Sequence, residues 1–337
     1  MLLPVNRAII RTGLKERDIT MSKHDKKLDL AARAAWMYYV AGQTQQDIAE
    51  KLGVSRQVAQ RLVALASEQG LVSVSVNHAV ADCMTLAQQL QEKFSLAFCQ
   101  VVPSGNVEGD GLQQMIAVAG AEVMAQTLKS ERPQIVAVGS GRTLRATINE
   151  LPELDRPQHS CVSLIGAIAS DGSCTRYDVP LWMAEKTQGR YFILPAPLYA
   201  DSVDDRDLWC NHRIYRTVTE KAAQADIMFV GIGQVSPGCP LNADGFISDD
   251  EVATLLADRV AAEMLGHFIG EEGERAATDL DSRLTSVRLT AHTQRNIVAF
   301  AGGSEKHRAI AAVLKGGWIS GLVTDEASAR YALATSA

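Results

Sequence analysis

The chain has 337 residues, 47% hydrophobic and 21% charged, with a formal net charge of −6, which implies two or three domains of ordinary globular composition. Six cysteines without a CxxC pair argue against both a disulfide framework and a zinc site, and fit a reducing cytoplasm. No apolar run is long enough to span a bilayer and no signal-peptide core opens the chain, so neither a membrane association nor an export route is expected.

Charge divides the chain unevenly. Residues 1–77 hold 11 Lys+Arg against 7 Asp+Glu, a net of +4, and the remainder holds 22 against 32, a net of −10. A small basic module on a large acidic body suits contact with phosphates by the first and solubility through the second.

In chain order, residues 1–27 show no apolar period and are expected to form an N-terminal arm; Met21, followed by Ser-Lys-His-Asp-Lys-Lys, has the character of an alternative start. Residues 28–77 are expected to form a helix-turn-helix DNA-binding domain. An apolar helix over 28–41 would back it. Then Thr44 opens a first short helix as its N-cap, Ile48 and Leu52 share a face, Gly53 makes the turn, Val54 plugs the angle, and Ser55 caps a second helix whose inner face is Ala59 and Leu62. Arg56, Gln57, Gln60 and Arg61 then lie outward. These are long donors and acceptors of the kind that reach base edges and phosphates, with Thr44, Gln45 and Ser55 near the helix starts. An ordinary core hairpin would not need to cap both helices and load one exposed face with Arg and Gln. Residues 71–76 alternate strictly and predict a strand. Residues 78–97, with Leu86, Leu90 and Phe94 on one side, predict a linker helix that joins domains or pairs subunits.

From residue 98 to 337 the pattern is that of one α/β domain. Short apolar runs at 98–104, 135–140, 161–168, 191–195, 227–233, 297–303 and 319–325 alternate with helical stretches at 112–129, 143–150, 178–188, 213–225, 250–268, 304–315 and 326–334. Such alternation builds a mostly parallel, doubly wound sheet with ligands at its carboxyl edge. Three loops there carry polar groups. Gly139, Ser140, Gly141, Arg142 and Thr143 follow one strand and open a helix, a cradle for phosphate or hydroxyl groups. Gly231, with Gln234 close behind, forms a second loop. Gly302, Gly303 and Lys306 repeat the logic of the first. Asp178, Asp244 and Asp325 are placed to accept from hydroxyls, or to act as turn and cap residues. Together these form a candidate site for a small polyhydroxylated or phosphorylated molecule. No HExxH, GxSxG or metal-spaced His/Cys cluster occurs, and no cofactor or metal is expected.

The segments Trp36 to Arg56, Val138 to Leu144, Leu194 to Pro197, Ala301 to Ile310 and Leu322 to Glu326 resemble the SorC family of DeoR-like, sugar-responsive bacterial transcriptional regulators. The resemblance covers nearly everything after about residue 28. It implies a non-enzymatic regulator with an effector domain similar in fold to sugar-phosphate isomerases and glucosamine-phosphate deaminases. It also implies operator DNA as partner, a homodimer or homotetramer, and a sugar, polyol or sugar-phosphate effector of a carbohydrate or polyol catabolic operon. Ser140, Arg142 and Thr143 would then hold the phosphate or sugar, with Lys306 opposite. Ala59 and Gln60 depart from the family's common Val and Ser, so the operator is not transferable. The loop from Leu164 to Ala167 lacks a basic residue found near the phosphate in some members, which favours a polyol or a monophosphate. The alternative is an isomerase- or deaminase-like enzyme with a DNA-binding appendage, using Asp244 or Asp325 as base; a third reading is an interaction adaptor.

Overall fold

The structure, a computed structural model, describes residues 23–72, 79–166, 168, 172 and 179–335. The chain divides into two compact units, Met1–His78 and Ala79–Ala337. In the first, α1 (Lys23–Tyr39), α2 (Gln45–Leu52) and α3 (Arg56–Glu68) enclose a small core of Ala31, Ala34, Ala35, Ile48, Ala49, Ala59, Leu62, Val63 and Ala66. Six of the nine are alanines, which lets three helices approach closely without long side chains. Gly53 makes the turn between α2 and α3 with φ 65° and ψ 34°, a conformation that costs a residue with a Cβ. Leu71 and Val72 lie outside any strand, and the rest of the strand predicted over 71–76 falls outside the described residues.

The second unit begins with α4 (Ala79–Phe94), β1 (Phe98–Val102), α5 (Gly109–Leu128), β2 (Ile135–Val138), α6 (Arg142–Glu150), β3 (Ser160–Ser163), α7 (Val179–Thr187) and β4 (Arg190–Phe192). It continues through α8 (Val203–Asn211), α9 (Arg213–Ala223), β5 (Ile227–Gly231), β6 (Gly233–Gln234), α10 (Pro240–Ala243), α11 (Asp249–Ala257), β7 (Val260–Met264), β8 (His267–Gly270) and α12 (Asp279–Arg283). It closes with β9 (Ile297–Phe300), α13 (His307–Lys315), β10 (Gly321–Asp325) and α14 (Glu326–Thr335).

All seven strands predicted from apolar runs join one parallel sheet in the order β1-β10-β9-β5-β2-β3-β4. Strand side chains alternate between two cores. Met228, Val230, Ile297 and Ala299 face the layer of α4, α9, α13 and α14, while Ile227, Phe229, Val298 and Phe300 face α5, α6 and α7. Burial on both faces explains why these strands read as continuous apolar runs. From β2 the chain steps outward through β3 to β4, then returns on the other side of β2 through β5, β9 and β10. The order therefore reverses between β2 and β5, and a crevice opens beyond their carboxyl ends.

Three sequence expectations change. The helix predicted over 250–268 is α11 followed by a hairpin. Arg259 turns out of the helix with φ 58°, and β7 and β8 pair antiparallel across Leu265 and Gly266, both with positive φ. The helices α8 and α12 have no apolar stripe long enough to announce them, and α8 buries none of its residues. The predicted linker helix, α4, packs in the larger unit: Cys83, Leu86, Ala87 and Leu90 enter its core, and Lys93 donates to the Leu333 carbonyl of α14 at 2.8 Å.

Candidate effector site and nucleic-acid interface

In the first unit the capping residues determine the geometry. Thr44 Oγ1 accepts from the Asp47 N–H at 3.2 Å, and the Asp47 carboxylate accepts from the Thr44 N–H at 3.0 Å, a reciprocal capping box. Hydrogen bonds from the Thr44 hydroxyl and N–H hold the Asp47 carboxyl below its ordinary range. Ser55 accepts from the Val58 N–H at 3.3 Å and starts α3. Ala59, Leu62, Val63 and Ala66 turn inward. Arg56, Gln57, Gln60 and Arg61 are all exposed, and Gln45 is half-buried at the start of α2. One solvent-facing surface of α3 thus presents two guanidiniums and two amides, as the sequence predicts.

In the second unit a cavity of about 970 Å³, its open mouth included, lies at the switch point between β2 and β5. It brings together Ser140, Gly141, Arg142 and Thr143 after β2, Gly231 and Gln234 after β5, Asp244 after α10, and Lys306 before α13. Ile165, Leu198, Ile232, Leu265 and Phe268 supply apolar walls. The first turn of α6 has no side-chain cap: its N-cap is Gly141, with φ 133°, so backbone N–H groups are left for a ligand.

The other predicted residues sit differently. Gly302 and Gly303 line an adjoining recess that shares Arg142, Thr143 and Lys306 with the main cavity. Gly139 lines neither; its N–H donates to the Phe229 carbonyl at 2.9 Å, and a Cβ there would lie 2.7 Å from Leu265 Cδ2. Its role is close approach of the β7–β8 turn. Asp325 is fully buried beneath the 302–303 loop, outside the cavity, and accepts from the Gly303 N–H at 2.9 Å, the Ser328 N–H at 3.0 Å and the Ser328 hydroxyl at 2.6 Å. With its oxygens so occupied it shapes the loop and is not a free base. Asp178 lies outside the described residues.

Sequence reasoning missed Glu263, because it fell in the stretch predicted as helix. It stands on β7 and lines the cavity, and its carboxylate accepts from the Gly266 N–H at 2.5 Å. Burial pushes its pKa up, against the Gly266 N–H and the Lys306 charge. Burial pushes the Lys306 ammonium down, aided by Arg142 and opposed by Glu305 and Glu263. The Leu-Gly pair between two apolar runs was the available signal for this hairpin. The Gln234 amide oxygen is buried without a hydrogen-bond partner among the described residues. The site therefore offers cations and backbone N–H groups on one side, acceptors on another, and apolar walls between.

Residues 78–334 match the family described as "Putative sugar-binding domain", and residues 34–79 match the MarR family. The erythritol catabolism regulatory protein EryD of Brucella abortus (strain 2308) is 34% identical over 301 residues, covering 89% of this chain and 95% of that one. The transcriptional regulator LsrR of Enterobacter sp. (strain 638) is 31% identical, covering 91% and 93%. The crystal structure of the full-length sorbitol operon regulator SorC from Klebsiella pneumoniae superposes with a TM-score of 0.67 at 25% identity, covering 91% of this chain and 99% of that one. These relatives are transcriptional regulators and not isomerases or deaminases, which removes the enzyme alternative. The chain belongs to the SorC family of sugar-binding transcriptional regulators.

Proposed function

We propose that the protein controls a carbohydrate or polyol catabolic operon from the cytoplasm, as a homodimer or homotetramer that binds operator DNA through α3. The DNA-binding unit, whose α1 begins at Lys23, within the expected arm 1–27, and the effector domain 98–337 divide the work, with α4 carried on the effector domain. Arg56, Gln57, Gln60 and Arg61 face the major groove, and Thr44, Gln45 and Ser55 sit near the backbone phosphates. The effector is a polyol, a sugar or its monophosphate.

The observation that carries this reading is the switch-point cavity. The uncapped start of α6, Arg142 and Lys306 suit an anionic or hydroxyl-rich end, Gln234, Asp244 and Glu263 accept from hydroxyls, and the apolar walls take the carbon chain. EryD, named for erythritol catabolism, adds weight to a short polyol or its phosphate. Effector binding shifts DNA affinity only as far as it favours one arrangement of the protein over another.

The test is a thermal-shift screen against sugars, polyols and their phosphates. A ligand that binds only the folded state raises the melting temperature by mass action. A hit must be lost in Arg142→Gln and Glu263→Gln. Arg56→Ala must reduce affinity for operator DNA and leave the hit unchanged; loss of both activities together overturns the two-module reading.

A further inference from the structure

A second cleft lies in the large unit between α8, α9 and the segment after α12. Arg206, Cys210, Tyr215, Thr219, Ser286 and Arg288 line it, and none of these lines the switch-point cavity. Its three side-chain hydroxyls differ in one respect. Tyr215 donates to the Thr285 carbonyl at 2.6 Å, and Thr219 to the carbonyls of Tyr215 and Arg216 at 3.2 and 3.1 Å. Ser286 is 4% exposed, and its hydroxyl has no hydrogen-bond partner among the described residues. A buried hydroxyl in that condition is costly unless something else completes it.

The charges point to what completes it. Arg206 Nε stands 3.1 Å from Asp207 Oδ1, close enough for an ion pair but without hydrogen-bond geometry, and Asp207 is the more exposed partner. Arg288 is exposed and enters no ion pair among the described residues. Both guanidiniums act on the Tyr215 hydroxyl, so both fields reach the same point. The cleft therefore has two guanidiniums against one peripheral carboxylate, in the part of the chain after residue 77 that carries the acidic surplus. Guanidinium forks match phosphate oxygens in geometry as well as charge.

We propose that this cleft is a second small-ligand site, separate from the effector cavity, that takes the phosphate group of a small molecule between Arg206 and Arg288 with Ser286 donating from below. The site adjoins the effector cavity. Leu284 lines the cleft and packs on Ile165 and Leu198, which wall the cavity, and the Thr285 N–H donates to the Leu198 carbonyl at 3.1 Å. Occupancy of one bears on the shape of the other.

Inorganic phosphate is the probe, titrated into full-length protein at constant ionic strength against chloride, with melting temperature as readout. Arg142→Gln removes the guanidinium of the switch-point cavity, and the phosphate binding that survives is assigned to the cleft by its response to Arg288→Gln. The Arg142→Gln protein is expected to show a saturable rise in melting temperature. Adding Arg288→Gln weakens the midpoint by about tenfold or more, the loss expected for a charge-assisted contact. Ser286→Ala, in the same background, is expected to raise the melting temperature of the phosphate-free protein and to weaken phosphate binding, a pair of opposite effects that a merely structural serine would not give. Absence of a saturable rise in Arg142→Gln, or an unchanged midpoint after Arg288→Gln, overturns the proposal. The proposal stands or falls separately from the effector reading, because the sugar screen reports on the other cavity.

Discussion

The two functional regions are encoded in different ways. The outward surface of α3, proposed to meet DNA, is written in one run of some twenty residues, where caps, turn glycine and apolar spacing all act on neighbours three or four positions away. The switch-point cavity gathers Ser140 to Thr143, Gln234, Asp244, Glu263 and Lys306 from loops, strands and helix starts spread over more than half the large unit. Its geometry depends on a seven-stranded sheet being correctly ordered first. A local code tolerates distant damage, and an assembled site does not.

The sharpest way to break this comparison is Phe229→Ala. Phe229 is fully buried and stacks on Phe300 with ring centroids 5.6 Å apart, so its loss should destabilise the large unit by about 3–5 kcal/mol. Calorimetry should show the melting of Ala79–Ala337 falling while α1 to α3 keep theirs; equal shifts in both would mean that the two units unfold as one. Next is Asp325→Ala, which leaves Gly303 and Ser328 donors without their acceptor and should cost about 2–3 kcal/mol. Effector affinity should fall with it as the 302–303 loop loosens, while DNA affinity holds.

A third comparison uses acid. Burial alone would raise the Asp281 carboxyl, but His267 and Arg275 outweigh it, and the pKa lies at about 2 against an ordinary 3.8. Arg275 is its main ion partner, at 2.6 Å. Because the folded value is the lower one, this stabilisation is present above the ordinary carboxylate range and disappears as pH falls from about 4 toward 2, some 2 kcal/mol in all. Urea unfolding at pH 6 and pH 3 should show a loss in wild type that Asp281→Asn largely lacks. The smallest effect is Ser55→Ala, about 1 kcal/mol from the start of α3. Circular dichroism of the melting of the first unit measures it, and the effector cavity should not register it.

Legibility followed the same division. The helix-turn-helix, both of its caps and its four outward residues were readable, because each rests on nearest-turn chemistry. All seven sheet strands were readable because burial on both faces makes continuous apolar runs. The 250–268 stretch misled, since the apolar residues of β7 and β8 sit at spacings that also suit a helix, and only Arg259 and the Leu265–Gly266 turn divide them. Glu263 was lost with that error. Asp325 shows the opposite limit: an acidic residue at a strand end looks alike whether it meets a ligand or a neighbouring loop, and only burial and three donors separate the cases.

The position of β1 has a consequence for synthesis. Among the described residues its one neighbour in the sheet is β10, in register from Phe98 opposite Gly321 to Val102 opposite Asp325. A chain emerging from the ribosome makes β1 well before β10 and must hold it unpaired until Gly321–Asp325 has been made, and long-range pairing of this kind is slow. The DNA-binding unit, complete within the first 78 residues, has no such wait. Each newly made molecule thus passes through an interval in which its DNA reader is folded and its chemical sensor is not.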